Sequence, residues 1–280
     1  MNRSLTVKES HPKQILTPAS GFLKGYTHTL NPYVGCSFGC SYCYVRRMPV
    51  GLFRKEEWGK WVDIKKGATE VLEKDLVRAR KKGDITIFMS SSTDPYQPIE
   101  SNTELTRSLL TVMTVQPPDF LFLQTRGPLI VRDIDLLLKL KKNLLVSVTI
   151  ETDREDIRKV FTPTAPPVQA RFKALQKLKE AGLPVQIAVS PVLPSTASFA
   201  QKVREVASRV VIDDYFMGDG QNGKRTKQLG MEQYYKEVAE ESWFSPTAYV
   251  QVLNQFKTRF TDHELFVSQE GFMPPNSYGD

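Results

Sequence analysis

Six short apolar runs alternate with five segments of helical spacing along this sequence, and that alternation leaves few folds open. The runs are residues 27–30, 85–89, 120–123, 144–150, 185–189 and 210–212. They are rich in β-branched and aromatic residues. Most are continuous rather than alternating, as strands buried on both faces are. Between them, residues 68–80 place Val71, Leu72, Leu76 and Ala79 on one helical face. Residues 104–115 do the same with Leu105, Leu109, Val112 and Met113, and residues 129–140 with Ile130, Ile134 and Leu137. Residues 168–181 carry Phe172, Leu175 and Leu178 and end at Gly182, the expected C-cap, and 199–207 form a shorter segment. Strand–helix–strand order predicts an α/β fold: a parallel sheet with right-handed crossovers. Six units fit an incomplete barrel or a doubly wound sheet, and in both the reactive loops follow the C-terminal ends of the strands.

The first unit is irregular. A cysteine-containing segment and residues 51–66 intervene before its helix, a stretch too long for a simple connector. Beyond about residue 215 the rhythm stops. A turn-rich stretch, Asp219-Gly220-Gln221-Asn222-Gly223, precedes helical segments near 231–241 and 246–260, and the tail from Phe272 is expected to be irregular. This divides the chain into an N-terminal segment (1–25), a core domain (26–215) and a C-terminal helical extension (216–280) able to cover the open side of the sheet.

Hydrophobic residues at 40% and charged residues at 25% describe an ordinary globular chain. No run of about 18 uncharged apolar residues exists, which argues against a transmembrane helix. Met1-Asn2-Arg3-Ser4 leads into polar sequence without an apolar signal core, so no membrane association and a cytoplasmic location are expected. The formal net charge is +7, from 38 Lys and Arg against 31 Asp and Glu. Basic groups at Arg78-Ala79-Arg80-Lys81-Lys82, at Lys139 with Lys141-Lys142, and at Lys173, Lys177 and Lys179 lie on or at the ends of expected helices. The first reading of them is a solvated face with cations at helix C-termini; the second is a surface for nucleic acid or another polyanion.

The three cysteines, Cys36, Cys40 and Cys43, all fall within eight residues. A disulfide framework would spread an even number along the chain, so an odd cluster points to an inorganic centre. The spacing C-x3-C-x2-C lets one irregular loop place three thiolates around a single centre, and Gly35 and Gly39 permit its tight turns. Three cysteines can ligate three irons of a [4Fe–4S] cube and leave the fourth open, the mark of a reactive rather than a structural site. The rival is a structural zinc completed by His11, His28 or His263, in a zinc-stabilised nucleic-acid-binding module. Against it, structural zinc sites pair C-x2-C knuckles and only one is present.

This loop, set after the first strand with an aromatic residue before its last cysteine, resembles that of radical S-adenosylmethionine enzymes. Leu30-Asn31-Pro32-Tyr33 through Cys43-Tyr44, with the later Ser92-Thr93-Asp94-Pro95-Tyr96-Gln97-Pro98, is similar to the subfamily that includes spore photoproduct lyase. The likeness covers roughly residues 26–215. It implies a partial (β/α)6 barrel of TIM type with the cysteine loop at its C-terminal face. It also implies a [4Fe–4S] cluster on Cys36, Cys40 and Cys43, and S-adenosylmethionine chelating the open iron. One electron, from a flavodoxin or ferredoxin, would break the sulfur–carbon bond and yield a 5′-deoxyadenosyl radical that takes hydrogen from a substrate. The substrate is not named by these motifs, and nucleic acid is among the candidates.

Under this resemblance Ser92, Thr93 and Asp94, after the second strand, would meet the methionine ammonium of S-adenosylmethionine. Arg126, after the third, would grip its carboxylate. Thr149 and Glu151, after the fourth, would meet the ribose, and Ser190, after the fifth, the adenine. Tyr42 and Tyr44 would pack against adenine or guard the radical. The lyase of this subfamily also uses a further cysteine near the end of strand two to return hydrogen to its product. Ser91 occupies that place here, which leaves Tyr96 or Tyr44 as other conceivable donors and predicts a substrate other than spore photoproduct or a different way of ending the radical reaction.

Two further patterns carry little. Gly218-x4-Gly223-Lys224 approaches a phosphate-binding loop, but Arg225 stands where Ser or Thr would bind magnesium, so a substrate loop is the better expectation. Asp213-Asp214 and Glu240-Glu241 read as surface or helix-end charges.

Overall fold

The computed structural model describes residues 5–219 and 221–275. The six expected strands form, at His28–Leu30 (β3), Thr86–Met89 (β6), Phe120–Thr125 (β7), Leu144–Thr149 (β8), Val185–Val189 (β9) and Val210–Ile212 (β10). They lie side by side in chain order, each parallel to the next. An uninterrupted order has no point at which the chain reverses direction across the sheet, so this is the partial-barrel form and not the doubly wound one. No closing pairing joins the two edges among the described residues.

Both edges are extended by strands the sequence pattern did not mark. Leu16–Pro18 (β2) pairs antiparallel with β3. Leu265–Val267 (β11), from the C-terminal extension, adds a seventh parallel strand beside β10. A second, three-stranded sheet contains Thr6–Ser10 (β1), Tyr33–Val34 (β4) and Trp61–Lys65 (β5), with β5 central. The long insertion in the first unit is therefore ordered, and β5 holds the base of the cysteine loop.

Helices Ala68–Arg80, Leu105–Val115, Ile134–Leu140, Val168–Glu180 and Phe199–Val206 cover the outer face of the sheet. Their apolar faces and the strand residues directed at them form one core, with Leu72, Leu109, Leu137, Leu175 and Val203 fully buried against Ile87, Leu121, Val146 and Ile187. The expected helix over 129–140 begins as a 3-10 segment at Pro128–Asp133. Gly182 caps Val168–Glu180 as expected, with φ +77° and a bond from its N–H to the Lys179 carbonyl. The C-terminal extension supplies the short helices Met231–Glu237 and Ala248–Lys257 and packs Tyr235 and Phe244 against Phe161 and Tyr215. No helix among the described residues is long and apolar enough to cross a membrane.

Candidate active site

The C-terminal ends of the parallel strands open onto one cavity of about 680 Å³. The cysteine loop forms one wall. It leaves β4 at Gly35, whose φ is +82° and whose missing side chain makes room for the Trp61 ring, 2.6 Å from where a Cβ would stand. Two tight turns follow, closed by bonds from Gly39 N to Cys36 O and from Cys43 N to Cys40 O. Cys36, Cys40 and Cys43 thereby all line the cavity. Burial pushes all three thiols up, Cys43 to about 12, with the Asp94 carboxylate raising Cys36 further. Bare buried thiols therefore stay neutral, and a cationic centre is what turns such a set into thiolates. The donor set fits an iron–sulfur cluster. Among the described residues no histidine lines the cavity to complete a three-cysteine zinc site.

The Thr-Asp-Pro-Tyr-Gln-Pro segment braces this loop. Thr93 donates its hydroxyl to the Gly35 carbonyl at 2.5 Å and accepts from Gln97 Nε2 at 3.1 Å. Gln97 Oε1 accepts from Ser37 N at 2.8 Å. Asp94 accepts from Thr125 Oγ1 at 2.7 Å, from Arg126 N at 2.8 Å and from Tyr96 N at 2.9 Å. Its carboxylate thus fixes the turn after β7. Tyr96 points away from the cavity to Asp133 Oδ2 at 3.1 Å. Tyr96 is fully buried there and is not among the residues lining the cavity, which removes it as a hydrogen donor.

The turn held by Asp94 presents Arg126. Its Nη1 lies 2.7 Å from Cys40 Sγ, 3.0 Å from Tyr42 Oη and 3.0 Å from Glu151 Oε1. Glu151 also accepts from Tyr42 Oη and, at 2.6 Å, from Arg171 Nη1. Burial opposes the Glu151 charge, but Arg171 and Arg126 outweigh it and hold its pKa below the ordinary carboxylate range. Glu151 is the one expected site residue that does not line the cavity; it stands behind Arg126 and Tyr42. Tyr42, Tyr44, Ser92, Thr93, Asp94, Arg126, Thr149 and Ser190 all do. Tyr44 donates to the Ser91 carbonyl at 2.6 Å.

Asp213 and Asp214 correct the sequence reading. They are buried in the cavity wall, at 5% and 4% exposure, and are not surface charges. Asp214 caps the helix Tyr215–Gly218 through Oδ1, while its Oδ2 and the Oδ1 of Asp213 have no hydrogen-bond partner among the described residues. Burial, reinforced by Asp214, pushes Asp213 up to about 7. The signal available was position: both directly follow the last apolar run, where reactive loops begin. Ser90 Oγ and Gln124 Oε1, also on the wall, likewise have no hydrogen-bond partner among the described residues. The loop from Asp219 is not a phosphate cradle. Its N–H groups at Gln221, Gly223 and Thr226 are taken by the Asp219 carboxylate. Glu240 pairs with Arg154 at the surface.

A model of the radical SAM superfamily matches residues 30–197. An uncharacterized protein of Methanocaldococcus jannaschii is 29% identical over 194 residues, covering 69% of this chain and 70% of the other. An uncharacterized protein of Acidianus two-tailed virus is 34% identical over 183 residues, 63% of this chain and 58% of its own length. An uncharacterized protein of Mycobacterium tuberculosis is 27% identical over 190 residues, 66% and 55% respectively. Among solved structures, spore photoproduct lyase complexed with dinucleoside spore photoproduct matches with a TM-score of 0.63 over 94% of this chain and 82% of the other, at 13% identity. Streptococcus suis SuiB bound to its precursor peptide matches at 0.51 over 80% and 50%, at 14% identity. At such identities the structural likeness is one of fold.

Proposed function

The chain belongs to the radical SAM superfamily and is an enzyme of that type, and from that premise we propose that Cys36, Cys40 and Cys43 hold a [4Fe–4S] cluster whose open iron takes S-adenosylmethionine. When bound, these groups supply one-electron reductive cleavage and a 5′-deoxyadenosyl radical for hydrogen abstraction. The observation that carries the reading is that every cysteine of the chain lines one cavity at the strand C-termini, with a guanidinium 2.7 Å from one sulfur.

The protein's own residues then divide the work. Arg126 has N–H groups to offer a carboxylate and is kept in place by Asp94 and Glu151. Ser92, Thr149 and Ser190 offer hydroxyls at the ends of successive strands for the ammonium, ribose and base of the cofactor. Thr93 and Asp94 serve mainly by holding the loops that carry the other groups. Tyr42 and Tyr44 wall the reaction space and exclude water from it. Residues 1–25 and 216–280 act as edge and cover to the core of 26–215. The electron comes from a flavodoxin- or ferredoxin-type donor, the location is cytoplasmic, and the substrate is other than spore photoproduct.

The test is anaerobic reconstitution of the parent and of Cys36→Ala, Cys40→Ala and Cys43→Ala. The parent should be brown and should form 5′-deoxyadenosine with dithionite; each variant should lose stable iron and the product, since no spare cysteine exists. Unchanged iron content together with unchanged product in any variant refutes the assignment.

A further inference from the structure

The cavity holds more carboxylates than the cations around it neutralise. Among the described residues Asp94, Asp213, Asp214 and Asp219 line it, against Arg126 and Arg225. Asp94 and Asp219 are engaged by the protein itself, Asp94 by Thr125 and two backbone N–H groups and Asp219 by the N–H groups of Gln221, Gly223 and Thr226. Both cations are engaged as well. Arg126 faces Glu151, and Arg225 Nη1 donates to the Asp219 carbonyl at 2.7 Å. Asp213 and Asp214 are left with weak provision. Ser190 Oγ reaches Asp213 Oδ2 at 3.3 Å, and Asp214 Oδ1 caps a helix, but Asp213 Oδ1 and Asp214 Oδ2 have no hydrogen-bond partner among the described residues. A buried carboxylate is strongly disfavoured unless a donor or a counter-charge meets it.

Strand alternation puts these oxygens one step above an apolar floor. Phe88, Phe122 and Val211 form one cluster inside the barrel, and Ser90, Gln124 and Asp213 follow each of them by two residues, on the same face. Ser90 is 7% exposed, and its Oγ and Gln124 Oε1 are the further wall atoms without a hydrogen-bond partner among the described residues. The 3-10 segment Ser268–Phe272 lies against the inner side of β10, an approach only glycine permits at 271, where a Cβ would stand 2.4 Å from Val211. It carries Phe272 to within 6.0 Å of the Phe22 ring, and Gln269 Nε2 donates to the Phe22 carbonyl at 2.5 Å. Phe22, Leu23, Phe88 and Phe272 thereby give the cavity an apolar side as well as the carboxylates.

We propose that this cavity takes a substrate with a protonated amine held by Asp213 and Asp214 and an apolar body against Phe22, Phe88 and Phe272. An ammonium has three donors and no acceptor, which matches carboxylate oxygens and an amide oxygen that lack donors, and it brings the missing counter-charge. A hydroxyl would supply one donor and no charge, and a carboxylate would be repelled. The χ2 torsion of Asp is soft, so each carboxyl turns readily toward a guest in the cavity. The proposal names the substrate class of the reaction site proposed above and rests on that reading; its test reads binding without turnover.

The experiment is anaerobic titration calorimetry of the full, reconstituted protein with S-adenosylmethionine present, at pH 8, above the value of about 7 to which Asp213 is raised. The probes are phenethylamine, 2-phenylethanol and 3-phenylpropionate, one apolar body with three head groups, and ethylamine, the head without the body. Phenethylamine should bind about tenfold or more tightly than each of the others, the difference expected of a hydrogen bond to a charged group. Asp213→Asn and Asp214→Asn keep the shape, and an amide oxygen at 214 can still cap the helix. Each should weaken phenethylamine by about tenfold or more and leave 2-phenylethanol close to the parent. Melting temperature and iron content of each variant report on folding and cluster assembly, and the head-group series on the parent decides the matter even if a variant fails to fold. No binding of phenethylamine, equal affinity for 2-phenylethanol, or parental phenethylamine affinity in both Asn variants overturns the proposal. A parent that assembles its cluster and cleaves S-adenosylmethionine but does not prefer the amine refutes this inference alone; amine preference in a parent without that chemistry refutes the cofactor assignment instead.

Discussion

The hydroxyl of Thr93 donates to the carbonyl oxygen of Gly35 at 2.5 Å, joining the loop after β6 to the first turn of the cysteine segment. With Gln97 on Ser37 and Asp94 on the Arg126 amide, it makes the Thr-Asp-Pro-Tyr-Gln-Pro stretch a bracket between the thiols and the cation that faces them. The motif that the resemblance sets beside the cofactor, and that lines the cavity, is also a positioning device.

Thr93→Val tests that bracket. The substitution keeps the shape and removes the donor, so the Gly35 carbonyl keeps only the long 3.4 Å contact from Gln97. A buried group left poorly paired costs about 1–3 kcal/mol. The variant should melt below the parent and lose iron faster to a chelator, while Thr93→Ser should stay close to the parent. Equal iron release from Thr93→Val and parent would show that the hydroxyl does not hold the loop.

Arg126→Ala should leave the loop assembled, because the backbone N–H that Asp94 holds is retained. What disappears is the guanidinium beside Cys40 and Tyr42. Truncating a hydrogen bond to a charged ligand group costs about 1.5–3 kcal/mol, so S-adenosylmethionine should bind on the order of tenfold to a hundredfold more weakly. Iron content should match the parent. Arg126→Lys should recover only part of the loss, since an ammonium cannot make the bidentate contact. Titration calorimetry giving parental affinity for Arg126→Ala removes this residue from the pocket.

Asp213 predicts a pH dependence of stability. Its carboxyl is raised from an ordinary value of 3.8 to about 7, chiefly by burial. Between those values the folded state binds a proton that the unfolded chain releases, so stability falls as pH rises from about 4 to about 7 and then levels. The size is on the order of a few kcal/mol. Melting temperatures measured at pH 5.5 and 8 should differ in the parent, and Asp213→Asn should shrink the difference by gaining stability at the higher pH. A variant with the same pH slope as the parent would show that Asp213 is already ionised in the fold.

Much of this was legible because burial on both faces leaves a plain mark. The run at 120–123 has no polar alternation, and the run at 144–150 breaks its apolar residues only with the small Ser147 and Thr149, both buried; the two are the centre of the sheet. What escaped was marked weakly or by context. β1, Thr-Val-Lys-Glu-Ser, is mostly exposed and becomes a strand only by pairing with β5. β11 has three apolar residues and relies on β10 for its partner. That Cys36, Cys40 and Cys43 come together on one cavity wall was readable from their spacing. Asp213 was not, because a charge in sequence says nothing about its burial; only its place after Ile212 hinted at it. Glu151 shows the converse. It was placed at the correct strand end, but the flanking Arg171 and Arg126 draw it behind the wall.

The last prediction concerns a reaction this chain should not carry out. Resemblance to the lyase subfamily calls for a thiol at the end of the second barrel strand, and Ser91 stands there. Ser91 lines the cavity and its Oγ accepts from Asn31 Nδ2 at 3.1 Å, so its position is suitable but its chemistry is not. A hydroxyl O–H bond is far stronger than a thiol S–H bond, and giving its hydrogen to a carbon radical would be uphill. All three cysteines are committed to the loop, and Tyr96 is buried against Asp133. Tyr44 remains in the wall, its phenol held by the Ser91 carbonyl and its pKa raised by burial. Anaerobic incubation of reconstituted enzyme with spore-photoproduct DNA, reductant and S-adenosylmethionine should therefore yield 5′-deoxyadenosine without multiple-turnover repair to thymine. Ser91→Cys should shift the outcome toward repair if the missing thiol is the obstacle. Efficient repair by the parent would overturn the argument, and its loss in Tyr44→Phe would then identify the phenol as the hydrogen donor.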